Sequence, residues 1–157
     1  MKNLSIFRWV KVWICAVGCV VMLGLGFVPS AIAQTIPAKL PVQTVTVHLG
    51  TPSGALKFEP DNLAFTAGDR YKLILDNPSP EKHYFTAKDF ADVIWTQKVQ
   101  AGKVEVKGAI HELELKPGAI AEWVFIPQKT GVFELHCSIA GHAEAGMVGT
   151  ISVTAAS

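Results

Sequence analysis

Cysteine is scarce in this sequence. Its 157 residues contain three cysteines, and two of them, Cys15 and Cys19, lie in an apolar stretch near the N-terminus. If that stretch is removed on export, Cys137 is the one cysteine that remains. A lone cysteine in an exported chain cannot form an internal disulfide, so it is either a free thiol or a thiolate with a function.

Charge of one sign is also lacking, since the chain carries 14 basic and 13 acidic residues. Three of the basic residues, Lys2, Arg8 and Lys11, precede the apolar stretch and would leave with it, so the remaining chain is slightly acidic. A protein that binds nucleic acid usually carries a basic patch or a basic surplus. We therefore expect no nucleic-acid partner.

Residues 1–33 have the pattern of a secretory signal peptide. The basic residues precede an apolar run from Val12 to Val28, and Ala31-Ile32-Ala33 supplies a small-residue cleavage box. An uncleaved membrane anchor is one alternative, because the run is near the lower length limit for a spanning helix. A lipoprotein site at Cys19 is another, although it would leave apolar residues on the mature chain. We favour cleavage before Gln34, which leaves no stable membrane anchor.

The mature chain is long enough for one domain and has neither a repeat nor a low-complexity segment. Short runs with alternating apolar residues, separated by Gly, Pro, Asn and Asp, predict β-strands and hence a sandwich or barrel of antiparallel sheets. The predicted strands cover residues 42–49, 62–66, 70–76, 82–86, 103–107, 112–115, 121–126, 131–137 and 149–154.

One segment, residues 87–100, departs from the strand pattern. Phe90, Val93 and Ile94 recur at helical spacing, and Asp89 is suited to the first turn or to the cap. We predict one short helix there. The longer segment from 88 to 116 is interpreted as a packing flap over one sheet, with a partner-docking face as the alternative.

The residues most indicative of chemistry lie between Cys137 and Met147. Cys137, His142 and Met147 offer a thiolate, an imidazole and a thioether within eleven residues. These are the donor types of a blue-copper site, in which two His and one Cys bind near a plane and a Met lies on the axis. Soft sulfur stabilises Cu(I) and imidazole also suits Cu(II), so such a site changes little when an electron moves.

The second imidazole must come from another part of the chain. Of His48, His83, His111 and His136, only His83 follows a Pro-rich loop and begins a predicted strand, so we assign His83. His48, in mid-strand on the more polar face, and His111, beside Glu112, are expected to be solvated surface residues.

The segment Cys137-Ser-Ile-Ala-Gly-His142-Ala-Glu-Ala-Gly-Met147 resembles the ligand loop of the cupredoxins, and its Cys-x4-His-x4-Met spacing is most similar to rusticyanin and auracyanin. The residues from Asp76 to His83 resemble the family's first-histidine loop. The resemblance implies a Greek-key β-sandwich over 42–157, after an N-terminal lead at 34–41. It also implies one type 1 copper ion with His83, Cys137 and His142 as equatorial ligands and Met147 on the axis.

Tyr84 departs from the family pattern. Many cupredoxins have Asn or Ser after the first His, and that side chain forms a hydrogen bond to the residue after the Cys. With Tyr84 in its place we expect this lock to be missing, which leaves the reduction potential open.

These features favour an exported, monomeric one-electron carrier, in the periplasm or, in a photosynthetic source, the thylakoid lumen. Small apolar residues around His142 favour weak docking of redox proteins near that ligand. Two alternatives stay open. One is a copper enzyme subunit with a second metal at His136, on the opposite strand face from Cys137. The other is a copper storage or delivery protein.

Overall fold

The computed structural model describes residues 41–156. The predicted signal peptide at 1–33 and all of the predicted lead except Pro41 lie outside the described residues. No helix in the described part of the chain is long and apolar enough to cross a membrane.

Within residues 41–156 the chain folds into two β-sheets and one short helix. The elements are β1 (Val42–Leu49), β2 (Phe58–Glu59), β3 (Asn62–Thr66), β4 (Arg70–Asp76), β5 (His83–Thr86), α1 (Lys88–Ala91), β6 (Ile94–Ala101), β7 (Val104–Val106), β8 (Glu112–Leu115), β9 (Ile120–Pro127), β10 (Gly131–His136) and β11 (Val148–Thr154). One sheet has the order β2-β1-β4-β9-β6-β7 and the other β3-β11-β10-β5-β8. The prediction of an all-β sandwich with one short helix is confirmed.

Alternation along the strands follows the predicted pattern. In β1, Val47 and Leu49 are buried while His48 between them is only partly buried. In β4, Tyr71, Leu73 and Leu75 are buried and the residues between them are not. Side chains of successive strand residues point to opposite faces, so each of these strands presents one face to the core and the other towards solvent.

The prediction of antiparallel sheets is wrong for two strand pairs. β1 pairs with β4 in parallel, from Val42 opposite Arg70 to His48 opposite Asp76. β11 likewise pairs in parallel with β3. Between β1 and β4 the chain passes through β3, which belongs to the other sheet, and a parallel pair needs such a crossover.

The predicted short helix lies at the start of the segment 87–100, and the rest of that segment is not helical. The helix covers Lys88–Ala91 alone, with Asp89 in its first turn and Ala87 as an N-cap that makes no side-chain hydrogen bond. Residues Ile94–Ala101 form β6, which pairs with β9 and contains a register shift between Thr96 and Lys98. The longer segment 88–116 is therefore not a flap over one sheet, because β6 and β7 belong to the six-stranded sheet and β8 to the five-stranded sheet.

The core lies between the two sheets and is rich in aromatic side chains. Phe90 of α1 is fully buried and stacks or makes edge contacts with four aromatic rings, those of Phe65, Trp123, Phe125 and Phe133. Aromatic pairs in these arrangements are more stabilising than their buried area alone. The helix thus closes the core at the point where the chain crosses from β5 to β6.

Gly149 is required where β11 passes the turn before β3. A Cβ at this position would lie 2.3 Å from the carbonyl oxygen of Asp61, which accepts a hydrogen bond from the N–H of Thr150 at 2.8 Å. We expect Gly149→Ala to lower the free energy of unfolding by about 1–3 kcal/mol, because a backbone atom must shift. Equilibrium chemical denaturation measures the change. Val132→Ala, at a 75 % exposed position on the neighbouring strand, is the control, and equal stability of the two variants would contradict the expectation.

Candidate metal centre

The loop between β10 and β11 holds Cys137, His142 and Met147. β10 ends at His136 and β11 begins at Val148, so Cys137 and Met147 stand just outside the paired strands. The N–H of Cys137 donates to the carbonyl of Met147 at 3.1 Å, and the N–H of Met147 donates to the carbonyl of His142 at 2.9 Å. These backbone bonds close the loop and hold the three side chains on one hairpin.

His83 opens β5 in the same sheet and joins this hairpin from the neighbouring strand. One donor atom from each of His83, Cys137 and His142 lies within 4.8 Å of the others. The Cys137 sulfur is 3.5 Å from Nδ1 of His142, and the two imidazole ring centroids are 5.2 Å apart. Two parts of the chain that are distant in sequence thus bring two nitrogens and one sulfur to a common point.

The His83 side chain has the properties expected of a buried metal ligand. It is fully buried, and neither Nδ1 nor Nε2 has a hydrogen-bond partner among the described residues. Burial, followed by the nearby His142, lowers the pKa of His83 below its usual value. A neutral imidazole is the form that binds metal, and a buried nitrogen without a partner is costly unless something occupies it. The donor set therefore fits a metal ion.

The four predicted ligands differ in how deeply they are buried. His83 and Met147 are fully buried, Cys137 is 1 % exposed, and His142 is only partly buried. His142 is therefore the member of the set through which the surface comes closest to the centre. The neighbouring residues Ala140, Gly141, Ala145 and Gly146 are exposed.

Asn77 shapes the loop that leads to His83, a role that the sequence did not reveal. This side chain is 1 % exposed. Its Nδ2 donates to the carbonyls of Glu81 and Leu115, both at 2.8 Å, and its Oδ1 accepts from the N–H of Ser79 at 2.9 Å. The amide thus ties the loop to the end of β8 and sets where β5 begins.

We expect Asn77→Ala to lower the free energy of unfolding by at least about 1–3 kcal/mol, because buried backbone groups lose their partners. Thermal and urea unfolding of the metal-free protein measures this effect. Asn62→Ala is the control, since the Asn62 amide contacts Asp61 at an exposed position and its loss should cost under about 0.5 kcal/mol. Similar losses in the two variants would contradict the role assigned to Asn77.

Tyr84 takes part in the site through its backbone and not through its side chain. Its N–H donates to the Cys137 sulfur with an N···S distance of 3.4 Å. Its hydroxyl instead donates to the Glu114 carboxylate on β8, which Lys82 also contacts at 3.2 Å. The Tyr84 hydroxyl, and after it Lys82, lowers the pKa of Glu114 below its usual value.

The remaining histidines of the described chain lie apart from the cluster. Nδ1 of His48 is 2.5 Å from Asp76, and Nε2 of His111 is 2.6 Å from Asp92; both imidazoles are 45 % exposed. His48 is therefore a surface residue of β1, as predicted, and His111 is equally accessible to solvent.

His136, the residue before Cys137, lies beside a different feature. Its Nδ1 is 3.0 Å from the Glu134 carboxylate without hydrogen-bond geometry, and its side chain is 30 % exposed. With Lys88, Asp89 and Glu134 it lines a cavity of about 140 Å³. No third His, Cys, Asp or Glu donor joins this pair at metal-binding distance within residues 41–156.

Within residues 41–156, two histidines and one cysteine at one end of the β-sandwich thus form a potential metal centre that contains sulfur. Residues 45–154 match the family model of copper binding proteins, plastocyanin/azurin family. The chain belongs to this family, and its cofactor is copper.

Individual proteins are similar to this chain in sequence or in fold. A plastocyanin from Prochlorothrix hollandica is 28 % identical over 110 residues, which cover 70 % of this chain and 72 % of the relative. Auracyanin B has a similar fold, with a TM-score of 0.50 and 21 % identity over 74 % of this chain and 92 % of its own. The auracyanin of Roseiflexus castenholzii has a TM-score of 0.52 and 16 % identity over 71 % and 96 %.

Proposed function

We propose that this protein is a one-electron carrier whose single copper ion is held by His83, Cys137, His142 and Met147. The convergence of the first three donor atoms within 4.8 Å carries the proposal. Met147 is added because it is fully buried and its backbone is bonded to both Cys137 and His142. Two His, one Cys and an axial Met are the donor set of a type 1 copper site.

Copper bound there supplies a centre that gains and loses one electron. The residues of the chain would exclude water from that centre and fix the positions of its ligands. Three of the four ligands are buried, and the Tyr84 N–H holds the Cys137 sulfur from the side of β5. Hydrogen bonds and burial around the ligands tune the potential of such sites and fix their orientation.

Electrons are proposed to enter and leave beside His142. This ligand is partly exposed, and Ala140, Gly141, Ala145 and Gly146 surround it with small exposed residues. Small side chains allow a partner to come close to the imidazole edge. A redox protein docking here would use a small interface, which suits weak and rapid association. We propose that the carrier acts as a monomer.

The proposed location is outside the cytoplasm, in the periplasm or, in a photosynthetic source, in the thylakoid lumen. The signal-like residues 1–33 and the loss of two of the three cysteines with them support export.

The test is a copper titration of the purified mature chain followed by redox cycling. We expect one equivalent of Cu(II) to bind with an intense visible thiolate-to-copper band that disappears on reduction. Repeated cycles with a small one-electron oxidant should restore it in full. A colourless complex would exclude the carrier. Binding of two equivalents of copper, one of which is lost in His136→Ala, would favour a copper enzyme subunit with a second metal at His136. Transfer of copper to a chelating acceptor without redox cycling would favour a copper storage or delivery protein.

A further inference from the structure

We infer that Gly50 is a positioning residue for the copper centre, because the absence of a side chain at Gly50 is what allows the His83 ring its observed orientation. The inference rests on the proposed function for its meaning. The contact between Gly50 and His83 exists in the protein without metal, so it can be tested in the metal-free protein.

Gly50 lies directly against the His83 ring. It follows β1, is buried, and has a φ of +76°. A Cβ on Gly50 would lie 2.8 Å from Nε2 of His83, 3.1 Å from its Cδ2 and 2.9 Å from Cβ of Ser79. Distances under about 3 Å are well inside van der Waals contact, so any side chain at Gly50 must push against both His83 and Ser79.

Neither Gly50 nor Ser79 is free to move away. The Gly50 N–H donates to the carbonyl of Lys57 at 2.8 Å, and Leu49 before it is paired with Phe58 of β2. Ser79 is 3 % exposed, and its N–H is held by the Asn77 side chain at 2.9 Å. The imidazole of His83, which forms no hydrogen bond within the described residues, is therefore the group that would turn.

The same contact defines which edge of the ring faces Gly50. Nε2 and Cδ2 form that edge, so Nδ1 lies across the ring and is the nitrogen left to face the other donors. Neither nitrogen has a hydrogen-bond partner among the described residues, so packing against Gly50 and Ser79 takes the place of a bond in orienting the ring. A ring held by packing turns when the packing changes.

The test compares Gly50→Ala with Gly54→Ala. Gly54 has a φ of +83° in the same β1 to β2 connection, but a Cβ there would meet nothing within 4 Å. The two variants therefore carry a similar backbone strain, and only one pushes on His83. We expect Gly50→Ala to weaken copper binding by about 10–100-fold, as loss of an outer-sphere partner does. The visible spectrum, the Cu(II) EPR parameters and the reduction potential should shift as well, while Gly54→Ala matches the wild type.

A second measurement uses the metal-free protein. NMR chemical shifts of the His83 ring should move in Gly50→Ala and stay in place in Gly54→Ala. The extra loss of stability in Gly50→Ala should shrink when His83→Ala is added, since the clashing ring is then gone. If Gly50→Ala does not fold, recovery of folding in the double variant supports the inference, and failure to recover overturns it.

The outcomes separate this inference from the proposed function. Identical His83 shifts and identical copper parameters in Gly50→Ala and Gly54→Ala would overturn the role of Gly50. A wild-type protein that binds no copper would overturn the proposed function, and the metal-free NMR and stability comparison would still decide whether Gly50 orients His83.

Discussion

Cys137→Ala is expected to abolish the intense visible band of the copper-loaded protein. That band requires electron density to move from a thiolate sulfur to Cu(II), and the described chain has no other cysteine. The variant also loses the softest donor of the site. We therefore expect its copper affinity to fall by more than the roughly 10–100-fold that loss of an outer-sphere partner costs. Absorption spectroscopy and competition with a chelator of known affinity measure the two effects.

Ser138→Ala is the matched control for this variant, because Ser138 is the exposed neighbour of Cys137. It should retain both the band and the affinity. Survival of the band in Cys137→Ala would show that the sulfur does not bind the metal, and loss of the band in Ser138→Ala would show that the loop and not the sulfur is what matters.

Phe90→Ala should be among the most destabilising single changes in the core, at about 3–5 kcal/mol. Phe90 is fully buried, and its removal opens a cavity among Phe65, Trp123, Phe125 and Phe133. Rings on both sheets contact it, so the site collapses only partly. Equilibrium denaturation should show a lower midpoint with an unchanged slope, the sign of lost stability in a state of similar compactness.

Val104→Ala tests whether that loss is specific to the core. Val104 belongs to the same part of the chain but is 61 % exposed, so its truncation should change the free energy of unfolding by less than about 0.5 kcal/mol. A small effect of Phe90→Ala would contradict the assignment of α1 to the core.

Local patterns predict most of the strands. The ranges predicted for β1, β3, β4 and β8 coincide with those observed, because each has a period-2 pattern bounded by turn residues. β6 was missed for a physical reason. Phe90, Val93 and Ile94 have helical spacing, although Phe90 lies in α1 and Ile94 already opens β6, and the bulge between Thr96 and Lys98 interrupts the period-2 pattern of the strand. Pairing with β9, which is distant in sequence, decides the conformation.

The candidate site likewise combines ligands that are close together in the sequence with one ligand that is distant. Cys137, His142 and Met147 lie on one hairpin, so their spacing alone predicts that they converge. His83 lies 54 residues before Cys137, so only elimination and the resemblance of its loop point to it in the sequence. The geometry now brings its donor atom to the same point as theirs.

The sequence alone did not predict the residues that support the site. The contact of Gly50 with His83 and the hydrogen bond of Asn77 to Leu115 join parts of the chain that are more than thirty residues apart. Tyr84 shows that the identity of a side chain does not reveal what the backbone of the same residue does. The identity of its side chain predicts a missing lock, but its backbone N–H, which any residue other than proline offers, is what reaches the sulfur.

The proposed binding of one copper ion by His83, Cys137, His142 and Met147 can be observed by diffraction from copper-loaded crystals at the copper absorption edge. We predict one strong anomalous peak, bounded by a nitrogen of His83, the sulfur of Cys137 and Nδ1 of His142, with the sulfur of Met147 beside it. A strongest peak at His48, His111 or His136, or one that neither His83 nor Cys137 contacts, would show that these four residues do not form the copper site.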